Sequence, residues 1–255
     1  MKVTAFVGSA RKKHTYGACE KFLETLEALG DVEYEIVALS DCDLRTCRGC
    51  ITCLDRGEEL CPLKDDRDVL IQKMMDSDGV VFASPNYSFQ VSGFMKIFLD
   101  RLGFMFHRPR FFGKTFTGIV AQGIYGAKDI VKYLDFVGGG LGFNVVKGFF
   151  ITTLEPVTEK QQKENDALIE RQSRKFHAQL MKKEFPVPSL FKLMIFRMSR
   201  SSMKAMLDDS FRDYTYYRDR GWFESDYYYP VELNPMKKMI GRLFDFIATR
   251  TAKGG

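Results

Sequence analysis

Short apolar runs alternate with longer helical patterns through the first two thirds of this chain, and that alternation narrows its possible folds more than any other feature. Residues 2–7, 33–39, 79–84, 115–121 and 144–152 are compact, mostly apolar and short, as buried strands are. Between them, residues 15–29 repeat Ala18, Phe22, Leu26 and Leu29 at helical spacing. Residues 66–76, 92–106 and 127–137 are further helices, the last closed by the glycine run Gly138–Gly140, and 160–183 forms a long polar helix. Strand–helix alternation of this kind implies a parallel sheet covered on both faces. The expectation is an α/β fold with a doubly wound, five-stranded parallel sheet. In such sheets ligands bind beyond the carboxyl ends of the strands, where strand order reverses.

Four cysteines fall within fifteen residues, as Cys47-x2-Cys50-x2-Cys53-x7-Cys61, with Pro62 next. Two-residue gaps let one curled loop present several thiolates to a small volume, which suits an iron–sulfur cluster. Structural zinc more often takes two separated pairs, though a zinc staple or unmetallated thiols remain open. Only Cys19 and Cys42 lie elsewhere, so a disulfide-built scaffold is excluded. The first residues lead directly into a strand and glycine, unlike a signal peptide, so a reducing cytoplasm is expected. No window approaches the ~20 apolar residues of a membrane span. The formal net charge of +5 is too mild to imply nucleic acid.

Three loops at the expected carboxyl edge carry chemistry. Gly8-Ser9-Ala10-Arg11-Lys12-Lys13-His14-Thr15 joins the first strand to a helix N-terminus, where free N–H groups favour an anion. The hydroxyls of Ser9 and Thr15 and the cations Arg11 and Lys12 suit a phosphate, which is preferred to the alternative of a solvated basic turn with Thr15 as cap. The loop has neither the dinucleotide nor the nucleotide-hydrolase glycine pattern. Pro85, Asn86, Tyr87 and Ser88 follow the most hydrophobic strand and offer polar and flat aromatic surface. Gln122 and Gly123 open a third loop with little steric bulk. One phosphate loop with two loops suited to a planar ring describes a flavin mononucleotide site. No catalytic acid or base is expected; Asn86 or backbone N–H groups near the ring would stabilise reduced flavin. His14, His107 and His177 receive no role.

Gly8-Ser9-Ala10-Arg11, the four-cysteine run, Asp65-Asp66, Ser84-Pro85-Asn86-Tyr87 and Ser92-Gly93-x-x-Lys96-x-x-x-Asp100-Arg101 occur in this order. Here the chain resembles the flavodoxin-like NAD(P)H-dependent FMN reductases, and among them the iron–sulfur flavoprotein branch. The resemblance implies a sheet of order 2-1-3-4-5, FMN as cofactor and NAD(P)H as co-substrate. It also implies a phosphate held by Ser9, Arg11 and Thr15, and an isoalloxazine ring lined by Pro85, Asn86 and Tyr87 and closed by Gln122 and Gly123. Cys47, Cys50, Cys53 and Cys61 would then be candidate ligands of a 4Fe-4S cluster. Ala10 departs from the common proline, the loop to Thr15 is one residue short, and His14 replaces the usual asparagine.

Residues 1–184 are expected to form the FMN-binding domain, with a cysteine-rich loop at 42–64, and 185–255 a helical and aromatic extension. In the extension, residues 190–207 are apolar with interspersed cations, a pattern that suits packing or a subunit interface better than a membrane surface. Six of the eleven tyrosines and the one tryptophan follow, and such side chains suit a homodimer or homotetramer interface. Three functions stay open: an FMN oxidoreductase passing electrons from NAD(P)H to a small acceptor; an iron–sulfur flavoprotein served by a ferredoxin-like partner; and a non-enzymatic, zinc-stapled interaction module.

Overall fold

β1 (Lys2–Val7) lies at the centre of the sheet, with β2 (Glu33–Ala38) on one side and β3 (Gly79–Pro85) on the other. β4 (Thr115–Gln122) pairs with β3, and both β5 (Asn144–Val145) and β6 (Phe149–Thr152) pair with β4. Every pairing is parallel and the order is β2-β1-β3-β4-β5, the flavodoxin-like arrangement. The computed structural model describes residues 1–253. Its chain divides into two units, Met1–Arg48 with Leu63–Lys183, and Gly49–Pro62 with the chain from Glu184 onward.

Side chains on a strand alternate between faces, and this sheet uses the alternation to build two cores. Val3, Ala5, Val7, Val81, Ala83 and Ile119 face α1 (His14–Leu29) and α6 (Glu159–Leu180), where Phe22 meets Phe176 at 5.6 Å. Phe6, Phe82 and Phe116 lie on the other face; Phe98 of α4 (Gly93–Arg101) stacks on Phe6 at 5.2 Å. Each such aromatic pair adds about 0.5–1.5 kcal/mol beyond the area it buries. Cys19 sits in the first core with its thiol pushed up to about 12 by burial, so it is chemically inert.

Three expected elements differ in detail. The fifth strand breaks into β5 and β6, because Thr115 pairs with Asn144 whereas Ile119 pairs with Phe149, which leaves one extra residue between them. Gly148 sits at that bulge; a Cβ there would lie 2.7 Å from the Gly118 carbonyl oxygen, and its N–H donates to Asp135. The run Gly138–Gly140 is not the turn after α5 (Ala127–Gly140) but its last helical residues. Phe116 occupies the space a Gly138 Cβ would take, at 2.3 Å, so close packing overrides glycine's poor helix propensity. The helix expected over 92–106 splits into α4 and a 3-10 turn, Gly103–Phe106.

A buried charge pair holds the stem of the cysteine loop. Asp65 accepts from Arg101 Nη2 at 2.9 Å and from the N–H groups of Arg45 and Arg67, with side-chain exposures of 1% for Asp65 and 3% for Arg101. Asp43 and Asp66 exchange two bonds beside it, just before α3 (Arg67–Met75). Burial opposes the charge on Asp65, yet the Arg101 guanidinium and the two backbone donors outweigh it and hold the carboxyl below its ordinary 3.8.

The second unit contains α2 (Thr52–Asp55), α7 (Leu190–Met206), α8 (Arg212–Asp219) and α9 (Pro235–Lys253). The aromatic stretch is this unit's own core. Trp222 contacts Tyr217 at 4.9 Å and Tyr228 at 4.8 Å, and its indole N–H donates to the Tyr228 carbonyl. Burial pushes the Tyr228 and Tyr229 hydroxyls up to about 12.

Asp65→Leu removes the buried carboxylate that Arg101 and two backbone N–H groups share, and is expected to cost about 3–5 kcal/mol in urea unfolding. Asp65→Leu with Arg101→Met should recover most of that loss. The carboxyl's contribution is present above its ordinary value and lost as pH falls through its lowered native one. Below pH 3.8 the wild type should therefore lose more stability than the double variant.

Candidate functional site

Loops leaving the carboxyl ends of β1, β3, β4 and β6 meet around a cavity of about 260 Å³. The first depends on a close approach. Ser92 caps α4 through a bond from Met95 N, and its hydroxyl also donates to the Gly8 carbonyl. A Cβ on Gly8 would lie 2.7 Å from Ser92 Oγ and 2.8 Å from Met95 Cβ. Beyond Gly8 the chain folds on itself, with Ser9 Oγ and Lys13 N both donating to the Arg11 carbonyl.

That turn sends Arg11 and Lys13 to the cavity and Lys12 away from it. Lys12 lies over the Tyr16 ring, 5.5 Å from its centroid, and lines a neighbouring cavity of about 480 Å³ between α1 and α6. Ser9, Arg11 and Thr15 line the first cavity, with Ser9 and Thr15 buried. α1 begins with no side chain capping it and no acid in its first turn, so its N-terminal N–H groups face an anion site.

Pro85, Asn86, Tyr87, Gln122 and Gly123 form the flatter part of the cavity wall. Asn86 Nδ2 donates to the Tyr125 carbonyl at 2.9 Å, and the Phe89 and Tyr125 rings stand 5.2 Å apart, so the second and third loops clasp each other. Gln122 Oε1 accepts from Ala127 N at 2.9 Å and so caps α5. Ser88 does not line the cavity; with Phe89 it occupies the tip of a tight turn between Tyr87 and Gln90. Both tip residues have left-handed backbone, φ 50° and 62°, a strained state for a side chain as large as Phe89.

Lys13, His14, Ala121, Thr153 and Glu155 also line the cavity. Thr153 and Glu155 follow β6, another carboxyl edge, and that position is the signal by which sequence reading could have found them. His14 Nε2 contacts Glu155 Oε1 at 2.7 Å across the cavity rim. That bond holds the Glu155 carboxyl below the ordinary carboxylate range, although the side chain is exposed. The donor set, two cations, two hydroxyls and an open helix N-terminus beside a flat wall, suits a phosphate carrying a planar ring.

Cys47 and Cys50 are exposed, Cys53 is half-buried and Cys61 is buried. Four thiols are the right donors for a cluster. Among the described residues, however, no three His, Cys, Asp or Glu side chains gather where a metal ion could sit.

The sequence profile of the NADPH-dependent FMN reductase family matches residues 1–154. An iron–sulfur flavoprotein of Archaeoglobus fulgidus is 35% identical over 161 residues, 58% of this chain and 71% of its own. An iron–sulfur flavoprotein of Clostridioides difficile is 28% identical over 229 residues, 86% of this chain and 95% of its own. Among solved structures, RosB with a bound 8-demethyl-8-formylriboflavin-5'-phosphate intermediate superposes with a TM-score of 0.60 at 16% identity, covering 92% of each chain. At that identity the superposition speaks to fold alone.

Gly8→Ala forces a methyl into the Ser92–Met95 contact and is expected to cost about 1–3 kcal/mol. A thermal melt of the variant equal to wild type would show that the loop can move aside freely.

Proposed function

Because this chain belongs to the NADPH-dependent FMN reductase family, within its iron–sulfur flavoprotein branch, we propose that it is an FMN-dependent oxidoreductase moving electrons between NAD(P)H and a small acceptor or redox partner. One observation carries the reading of the site: the uncapped N-terminus of α1, flanked by Ser9, Arg11, Lys13 and Thr15, opens onto the wall formed by Pro85, Asn86 and Tyr87.

Bound FMN would supply hydride acceptance and the release of electrons singly or in pairs. The chain's own part is position and charge. Arg11 and Lys13 offset the phosphate charge while the α1 N–H groups and the two hydroxyls orient it. Asn86, held by Tyr125, keeps the ring-side loops fixed before a ligand enters, which lowers the ordering cost of binding. Tyr87, about half exposed, offers a flat apolar face. Glu155 works the other way, placing a carboxylate at the rim of an anion site, offset chiefly by its bond from His14 and also by Lys13.

A second reading is an iron–sulfur flavoprotein passing electrons between a ferredoxin-like donor and an acceptor. The four-cysteine run favours it, as do the names of the relatives. The family match over residues 1–154 and the cavity at the sheet edge support the flavin chemistry first. The cysteine usage suits a reducing cytoplasm.

Anaerobically purified protein should carry FMN or take it up at micromolar levels, and should oxidise NADH or NADPH only when flavin is bound. Refusal of FMN by folded protein would end this reading; iron with acid-labile sulfide would establish the second. Arg11→Ala should weaken FMN binding by roughly tenfold to a hundredfold, the worth of a charged hydrogen bond of about 1.5–3 kcal/mol. Glu155→Gln should tighten FMN binding severalfold in equilibrium fluorescence titration, since it removes a like charge from the phosphate's rim.

A further inference from the structure

Helix α9 is built inside out. Its inner side carries small and polar residues beside the half-buried Ile240 and Phe244: a Cβ on Gly241 would lie 2.9 Å from Arg197 Nε, and Ala248 is buried. Asp245, on the same side, accepts from Arg197 Nη1 at 3.0 Å, Arg200 Nη2 at 2.8 Å and Ser201 Oγ at 2.7 Å. The outer side carries Met236, Met239, Leu243 and Phe246, exposed by 59%, 66%, 53% and 56%. Steps of three and four residues place them on one stripe.

The ion pairs fix this orientation. Turning the stripe inward would take Asp245 from the buried Arg200 and Arg197, leaving Arg197 with Asp226, and breaking a buried pair is strongly destabilising. Lys237 Nζ donates to the Pro188 carbonyl at 2.7 Å, which brings the start of α7, with Leu190 and Phe191 exposed, beside the start of α9. The outward apolar surface therefore continues from one helix to the other.

Charge selects the occupant of this face. Between Pro235 and Thr251, α9 carries Lys237, Lys238, Arg242 and Arg250 against one acid, Asp245, which is committed inward. Lys238, Arg242 and Arg250 are exposed; Glu232, in the loop before the helix, is the exposed acid nearest in sequence. Two copies pairing along the stripe would set these cations against one another with no carboxylate on either helix to meet them. An anionic lipid surface offers both the opposite charge and an apolar layer for the stripe. Among the described residues no helix is long and apolar enough to cross a membrane, so the helix would lie in the plane of the surface.

We propose that the outer face of α9, with the start of α7, adsorbs to anionic membrane surfaces. The full chain should co-sediment with vesicles of phosphatidylglycerol and phosphatidylcholine at least tenfold more strongly than with phosphatidylcholine alone, and the difference should shrink with salt. Leu243→Glu with Phe246→Glu, both at exposed positions, should lose binding at least tenfold with circular dichroism and sedimentation coefficient unchanged. Lys238→Glu with Arg242→Glu should lose roughly tenfold or more, selectively toward the anionic vesicles. Absent vesicle binding, or equal binding to neutral vesicles, overturns the proposal. So does a stripe variant whose sedimentation coefficient falls, because a second copy of the chain would then be the occupant.

Discussion

The approach of the β1 end to the N-terminus of α4 is the constraint on which the site depends. Gly8 can lie against Ser92 and Met95 because it has no Cβ, and Ser92 then serves two strands' ends at once. It caps α4, donates to Gly8, and its residue's N–H is received by Ser84 Oγ at the end of β3. These groups are buried, so each bond also removes the penalty of an unsatisfied polar atom. The phosphate-type loop and the ring-side loop are thereby registered against each other by the buried hydroxyls of Ser92 and Ser84, independent of the exposed residues at their tips.

Buried arginine–aspartate contacts perform a comparable service within each unit. Asp65 with Arg101 ties the two ends of the cysteine loop to α4, and Asp245 with Arg197 and Arg200 sets the rotation of α9 on α7. Such pairs add little net stability over apolar replacements, but they penalise every arrangement that separates them. What they contribute here is orientation: which face of a helix turns inward, and where a loop begins and ends. The apolar stripe on α9 is exposed as a consequence of that choice.

The anion site balances attraction against one opposing charge. Arg11, Lys13 and the open end of α1 favour a phosphate, whereas Glu155 reaches the same rim and is held there by His14. Exposed charges act weakly through solvent, so the carboxylate modulates the site without abolishing it. It sits between the cavity at the sheet edge and the larger one between α1 and α6, and lines both.

Much of this architecture was legible in the residues themselves. Val3 to Val7, Val80 to Ala83 and Phe116 to Ala121 are apolar on both faces, which leaves a parallel sheet covered by helices as the economical solution. The loops after β1, β3 and β4 could be located by position alone, and eight of the ten residues singled out there line one cavity. Lys12 and Ser88 could not be separated from their neighbours, since the direction of each side chain follows from turns closed by Ser9, Lys13 and Gln90. The glycine run inside α5 and the bulge at Gly148 were equally hidden, because the atoms that require a missing Cβ belong to Phe116 and Gly118, distant in sequence. Local periodicity and strand-end position thus determined the sheet and the place of its site. Contacts between remote residues decided which side chains enter the site and which face of α9 meets solvent, because those outcomes depend on space and charge supplied from elsewhere in the chain.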